Sequence, residues 1–236
     1  VLGVFSYLPK QMLDWGYATR QLRRHEIGFD RSAKRIIFPI RNHLGDLVGV
    51  SGRTVRDDIP RYKVYRSEFQ DVVRGYHLDK GQVLWGLDKI YRGYMMGVLD
   101  SPIVLCEGFK ACLSIERAGF PSVVALLGSY LTKQQRYLLE RVATDVIVFL
   151  DNDDAGTKGT SQILDSALGC NVRVARYPAD EKASPDDLSD EAIRWAIRAA
   201  QPPILWRYHH GKLGKCGLHG LGEERAGGAQ EAPQEE

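Results

Sequence analysis

Carboxylates stand in this 236-residue chain where they could act together. Glu107-Gly108 follows the apolar run Ile103–Cys106, and Asp151-Asn152-Asp153 follows Val146–Leu150. Asp186 and Asp187 come after Val172–Ala175, behind Lys182 and Pro185. Such charges repel one another unless cations lie between them. Oxygen ligands of this kind suit Mg²⁺, which takes a few carboxylates and completes its shell with waters and phosphates. Ions so held bridge phosphate oxygens and stabilise the attacking and leaving oxygens of a displacement. Each signal alone has a plainer reading. A Glu-Gly after a strand makes a turn, an Asp there caps a helix, and Asp186 and Asp187 suit the cap of a helix beginning near Ser189. Three carboxylate positions after three strands favour a metal site.

The elements that must carry them alternate. Ile103–Cys106, Ser122–Leu126, Val146–Leu150 and Val172–Ala175 read as strands. Lys110–Ala118, Thr132–Val142 (capped by Thr132) and Ala155–Leu168 read as helices. Strand–helix alternation at this spacing means βαβ units and a parallel sheet, with ligands bound beyond the carboxyl ends of the strands. No GxGxxG and no GxxxxGK[ST] occurs, so dinucleotide-binding and P-loop readings lack their signatures. Upstream, residues 1–35 read as mainly helical. Ile36–Ile40 and Leu47–Val50 read as a hairpin across Asn42–Asp46, and turns are expected near Pro60 and Gly75. From about Gly211 the chain is rich in Gly, Ala, Gln and Glu and is expected to be disordered. His209, His210, Cys216 and His219 fit no zinc spacing and read as a chance cluster.

Composition sets the outer limits. Apolar residues make 44% and charged residues 26%, the balance of a globular protein. Runs such as Val123–Leu127 fall far short of the roughly 20 residues a membrane span needs, so no membrane partner is expected. No signal segment opens the chain, and four cysteines without a CxxC pair make neither a disulfide scaffold nor a zinc ribbon. A reduced, cytoplasmic setting follows. The chain opens on Val1 and reads as a piece of something longer. Net charge is +2, but residues 1–100 hold 17 Lys and Arg against 11 Asp and Glu, so the first part could face a polyanion.

The Glu-Gly and Asp-x-Asp pair resembles the Toprim domain shared by DnaG-type primases, topoisomerases of types IA and II and some nucleases. A longer match narrows this to primases. Arg35-Ile36-Ile37-Phe38-Pro39-Ile40-Arg41, Gly45, Val48-Gly49, Gly52-Arg53, Pro60-Arg61-Tyr62 and Lys80–Leu87 resemble, in order, the basic subdomain that precedes Toprim in bacterial primases. Asp151-Asn152-Asp153-Asp154-Ala155-Gly156 resembles the primase form of the acidic loop. The likeness covers roughly residues 10–195. It implies an α/β fold with a four-stranded parallel Toprim sheet flanked by helices. The expected divisions are a smaller α+β basic subdomain at 1–100, the Toprim domain at 101–200 and a largely disordered tail at 201–236. It further implies a nucleotidyltransferase that makes short RNA primers on single-stranded DNA from ribonucleoside triphosphates, with Mg²⁺ or Mn²⁺. Glu107 becomes general base or metal ligand, and Asp151, Asp153 and Asp186 metal ligands. Partners would include a replicative helicase and a separate zinc-binding domain. The sequence departs from the family pattern at Ala111, where a further Asp is usual, and at Ser184, where Asp-Pro-Asp is usual. A Toprim-type nuclease and a non-catalytic nucleic-acid-binding module therefore stay open.

Arg41, Arg53, Arg61 and Lys80 lie near expected turns or strand ends. There they can hold template phosphates or a triphosphate, Arg through paired hydrogen bonds and Lys as a point charge. Arg23, Arg24 and Arg31 read as solvated surface, and Tyr62, Tyr65 and Trp85 as core rather than base-stacking residues.

Overall fold

The computed structural model describes residues 7–56, 60–65, 78–166, 168–178 and 183–211. Contacts divide the chain into a unit of residues 1–203 and a second of residues 204–236. Two short helices, α1 (Lys10–Asp14) and α2 (Thr19–Arg24), lead into an antiparallel sheet of β1 (Gly28–Asp30), β2 (Arg35–Arg41), β3 (Leu47–Thr54) and β4 (Tyr62–Val64), in that order. Helix α3 (Leu87–Met95) crosses to a parallel sheet of β5 (Ile103–Cys106), β6 (Val123–Ala125), β7 (Asp145–Val148) and β8 (Asn171–Val174). Its strand order is β6-β5-β7-β8. Between these strands run α4 (Phe109–Arg117), α5 (Lys133–Glu140) and α6 (Asp154–Asp165), and α7 (Asp190–Arg198) follows β8. This is the expected mixed α/β architecture with a four-stranded parallel sheet flanked by helices.

Strand β2 shows why the first sheet forms. Ile36, Phe38 and Ile40 enter the large core, while Ile37 joins Val50 and Tyr65 in a smaller cluster on the other face. A period of two thus buries both faces of the strand, and the register Ile36↔Arg53 and Ile37↔Gly52 pairs it with β3 as a hairpin. Strands β5 and β6 are buried end to end and β7 from Val146 on, whereas the edge strand β8 is buried only at Val174. Thr132 caps α5 in a capping box with Gln135.

Residues of both sheets share one core. Phe38 of β2 stacks on Phe109 of α4 at 4.5 Å, and the Trp85 Nε1–H donates to the Pro39 carbonyl at 2.8 Å. Helix α2 docks on α4 through a buried network: Gln21 donates to the Leu113 carbonyl at 2.7 Å and to Glu116 at 2.8 Å, and His25 contacts Glu116 at 2.8 Å while stacking on Trp85. Burial pushes the Glu116 carboxyl up, but His25, Gln21 and Arg24 outweigh it and hold the group below its ordinary value.

Some elements differ from the sequence reading. Strand β1 lies inside the segment read as helical, and β4 inside the stretch read only as turns; each has three residues and is held by its neighbour in the sheet. Helix α8 (Pro203–His209) occupies the start of the segment expected to be disordered. Pro203 suits a first helical turn, and Ile204, Leu205 and Trp206 follow it. The rest of that expected tail, with Cys216 and His219, and the turn expected at Gly75 lie outside the described residues.

Candidate active site

Strand ends deliver the carboxylates. Strand β5 stops at Cys106, so Glu107 is the first residue beyond it, and Gly108 opens α4. After β7 the chain stays buried through Phe149 and Leu150, and Asp151 emerges where it turns into α6. Asp186 and Asp187 sit in a 3₁₀ turn, Pro185–Asp187, beyond β8. Glu107, Asp151 and Asp186 line one cavity of about 390 Å³. Arg53, Arg61 and Lys80 line the same cavity. Arg53 comes from β3 and pairs in register with Tyr62 of β4, next to Arg61, and Lys80 opens a 3₁₀ turn, Lys80–Gln82.

Two expected site residues lie outside that cavity and have other partners. Asp153 caps α6, its carboxylate accepting the Gly156 N–H at 2.8 Å, and is not among the residues lining the cavity. Arg41 also lies outside that cavity. Its guanidinium donates to both Glu26 oxygens, at 2.6 and 3.0 Å, and to the Gly45 carbonyl at 2.7 Å. Of the aromatic residues read as core, Tyr65 and Trp85 are buried, whereas Tyr62 is half-buried and lines the cavity.

The electrostatics are uneven. Burial pushes the Glu107 carboxyl up, and hydrogen bonds from Ser129 Oγ (3.1 Å) and the Asp151 N–H (3.4 Å) only partly offset it. Asp151 is pushed up to about 7, first by burial, then by the facing charges of Glu107, Asp186, Asp153 and Asp187. Among the described residues no group donates a hydrogen bond to its carboxylate. Asp187 is different: the Ser184 N–H (2.9 Å) and Oγ (2.8 Å) hold it below the usual carboxylate range.

The sequence reading missed several contributors. Lys110, in the first turn of α4, forms an ion pair with Asp186. Its ammonium lies 5.0 Å from the Trp15 ring centre, and the Arg53 guanidinium lies 4.7 Å from the same ring. Ser184 Oγ lies 3.1 Å from the second Asp186 oxygen and shares its one proton between Asp186 and Asp187. Ser129 comes from the loop after β6, where Leu127 adopts φ 59° beside the cavity; a non-glycine residue there marks local strain of the kind found at functional sites. Only Lys110 carried a local signal, three residues after Glu107. Gly156 and Gly159 permit close approach: a Cβ would meet the Asp151 carbonyl oxygen at 1.9 Å and the Ser129 carbonyl oxygen at 2.0 Å, respectively.

The donor set fits a hard divalent ion of modest protein coordination. Among the described residues no three His, Cys, Asp or Glu side chains stand together as a closed metal cage. Mg²⁺ rarely uses one; it is held by one or two carboxylates and completed by water and substrate phosphates. Glu107 and Asp151, half-buried and without a cation bonded to either carboxylate, match that demand.

Known proteins match this chain in sequence and in fold. Residues 5–90 match the DNA primase catalytic core, N-terminal domain, and residues 104–189 match a Toprim-like family. The DNA primase of Deinococcus radiodurans is 33% identical over 203 residues, which is 84% of this chain and 34% of that protein. The chain therefore spans about a third of the length of this curated relative. A DnaG primase catalytic domain bound to ssDNA superposes with a TM-score of 0.68 at 23% identity, over 85% of this chain and 74% of that one. The zinc-binding and RNA polymerase domains of Aquifex aeolicus primase give 0.64 at 22%, over 81% and 55%. At these identities the structural likeness establishes the fold. With its two consecutive domain matches in primase order and a carboxylate-lined cavity at the Toprim strand ends, the chain belongs to the family of the DnaG-type DNA primase catalytic core.

Proposed function

We propose that this chain is the nucleotidyl-transferring core of a primase, joining ribonucleoside triphosphates into short RNA primers on a single-stranded DNA template. The observation that carries the reading is the mixed lining of one cavity: Glu107 and Asp151 at the Toprim strand ends, with Arg53, Arg61 and Lys80 from the preceding part of the chain. Residues 1–100 would thus serve as the basic subdomain and residues 101–200 as the Toprim domain. Glu107 and Asp151 would hold Mg²⁺, or Mn²⁺ in its place, with Asp153 adding charge from its capping position. The bound ion supplies stabilisation of the charge that builds on the phosphate oxygens as pyrophosphate leaves. Arg53, Arg61 and Lys80 orient triphosphate or template phosphates. Glu107, made more basic by burial, is placed to accept the proton of the primer 3′-hydroxyl or to serve as a ligand.

Partners follow from the same reading. The ssDNA in the matched DnaG complex supports a DNA template, and the zinc-binding domain of the Aquifex aeolicus protein supports a separate zinc domain. A replicative helicase belongs with a priming role. Among the described residues no helix is long and apolar enough to cross a membrane, and we assign the chain to the cytoplasm, where its template lies.

Primer synthesis with labelled ribonucleotides tests the proposal, in Mg²⁺ and then in Mn²⁺, with a zinc domain supplied in trans. Synthesis by the parent and its loss in Glu107→Gln, at unchanged DNA affinity, is the expected result. A Glu107→Gln variant as active as the parent refutes the mechanism. Ala111 and Ser184 give the binding-module reading its own footing, and a parent that binds DNA but makes no primers under any of these conditions decides for it.

A further inference from the structure

The carboxylates of the cavity fall into two groups. Asp151 receives no hydrogen bond on its carboxylate from any described residue. Asp186 is engaged by a cation: one oxygen takes the Lys110 ammonium, and the other lies 3.1 Å from the Ser184 hydroxyl, whose single proton it shares with Asp187. Asp187 takes the Ser184 N–H and hydroxyl. The two positions at which the sequence lacks a family carboxylate, Ala111 and Ser184, thus lie beside or within the set that engages Asp186.

Lys110 is oddly placed for the stability of its own helix. It stands in the first turn of α4, where the helix presents its positive end, and a cation there is unfavourable. What holds it is tertiary: Asp186, 76 positions away in the chain, and the face of Trp15 at 5.0 Å. Arg53 lies 4.7 Å from the same ring, so the indole orients two cations that line one cavity. An ammonium held against Asp186 both occupies its oxygen and repels any dication that approaches it.

We propose that Lys110 is a built-in cation that takes the place of a second divalent ion, so that the carboxylate edge binds one Mg²⁺ or Mn²⁺, at Glu107 and Asp151, rather than two. The inference rests on the metal reading above and goes beyond it by fixing the number of ions and the residue that fixes it. The second positive charge would then be constant and independent of free metal concentration.

Counting Mn²⁺ bound to the whole chain, by titration calorimetry and by loss of the free-ion electron paramagnetic resonance signal, tests it without reference to activity. The parent should bind one Mn²⁺. Lys110→Met should bind two, because Asp186 is released. Lys110→Arg, which keeps the charge, should bind one. Asp186→Asn should leave the single ion of the parent in place, within about twofold in affinity, whereas Asp151→Asn should lose it. A parent that binds two ions, a Lys110→Met variant with the same count as Lys110→Arg, or loss of the single ion in Asp186→Asn overturns this inference alone. A parent that binds no Mn²⁺ overturns the metal reading and this inference together.

Discussion

Replacing Asp151 by Asn removes a charge that the metal-free fold must bear. Burial and four facing carboxylates move this carboxyl from an ordinary 3.8 up to about 7. At about 1.36 kcal/mol per pH unit, that displacement is worth about 4 kcal/mol. Solvent reaching the cavity screens part of it, leaving about 2 kcal/mol. The sign follows from linkage. Because the folded-state value is the higher one, the folded chain binds more protons than the unfolded chain between 3.8 and about 7, and the parent loses stability as pH rises through that window. Asp151→Asn, which has no proton to lose, should match the parent in acid, gain on it through the window and hold a constant advantage above it. For a chain of this size the advantage corresponds to a rise of about 4–8 °C in melting temperature. Thermal melts in EDTA across that pH range measure it. Saturating Mg²⁺ should raise the Tm of the parent and leave the variant unmoved, since a ligand that binds only the folded state stabilises it by mass action. A variant no more stable than the parent in EDTA at about pH 8 refutes the claim that Asp151 is held uncompensated.

The other expectations are briefer. Arg53→Ala and Lys80→Ala should each weaken single-stranded DNA binding and flatten its dependence on log salt by about 0.7 per lost phosphate contact; parent-like slopes at all salt concentrations would make both plain surface charges. Gly156→Ala sets a Cβ 1.9 Å from the Asp151 carbonyl oxygen and should cost about 3 kcal/mol in denaturant unfolding together with metal binding, and an unchanged melt would show that the loop yields easily. Glu116 is held below its ordinary 4.5, so its contribution is present above that value and fades as pH falls through the folded-state one. Glu116→Gln should therefore destabilise at neutral pH and show a shallower acid loss than the parent, as read by melts at successive pH values.

The parallel sheet was legible because its strands are short apolar runs spaced by helices, and the position of Glu107 and Asp151 followed from that alone. Strands β1 and β4 were not, since three residues such as Gly28–Asp30 carry no period and become strands only by pairing with β2 and β3. Asp153 shows a deeper ambiguity: a helix cap and a metal ligand call for the same residue at the same place, and only the 2.8 Å bond to Gly156 separates them. Arg41 fell in a motif with Arg53, but β2 ends where Glu26 can meet it. The pairing of Lys110 with Asp186 joins residues 76 apart, which no local pattern announces.

The stack of Phe38 on Phe109 bears on how this protein can be rebuilt. It joins the antiparallel sheet to the helix that starts at the Glu107-Gly108 corner, and the Gln21–Glu116 bond and the Trp85–Ala125 backbone bridge cross the same boundary. A chimera spliced near residue 100 would bring together two half-cores that never evolved as mates. Recombination between relatives should therefore succeed only when Phe38, Trp85, Phe109 and the α2–α4 network are exchanged as a set. The gap between the cations and the carboxylates that line the cavity would then travel as an inherited dimension, unchanged by the swap.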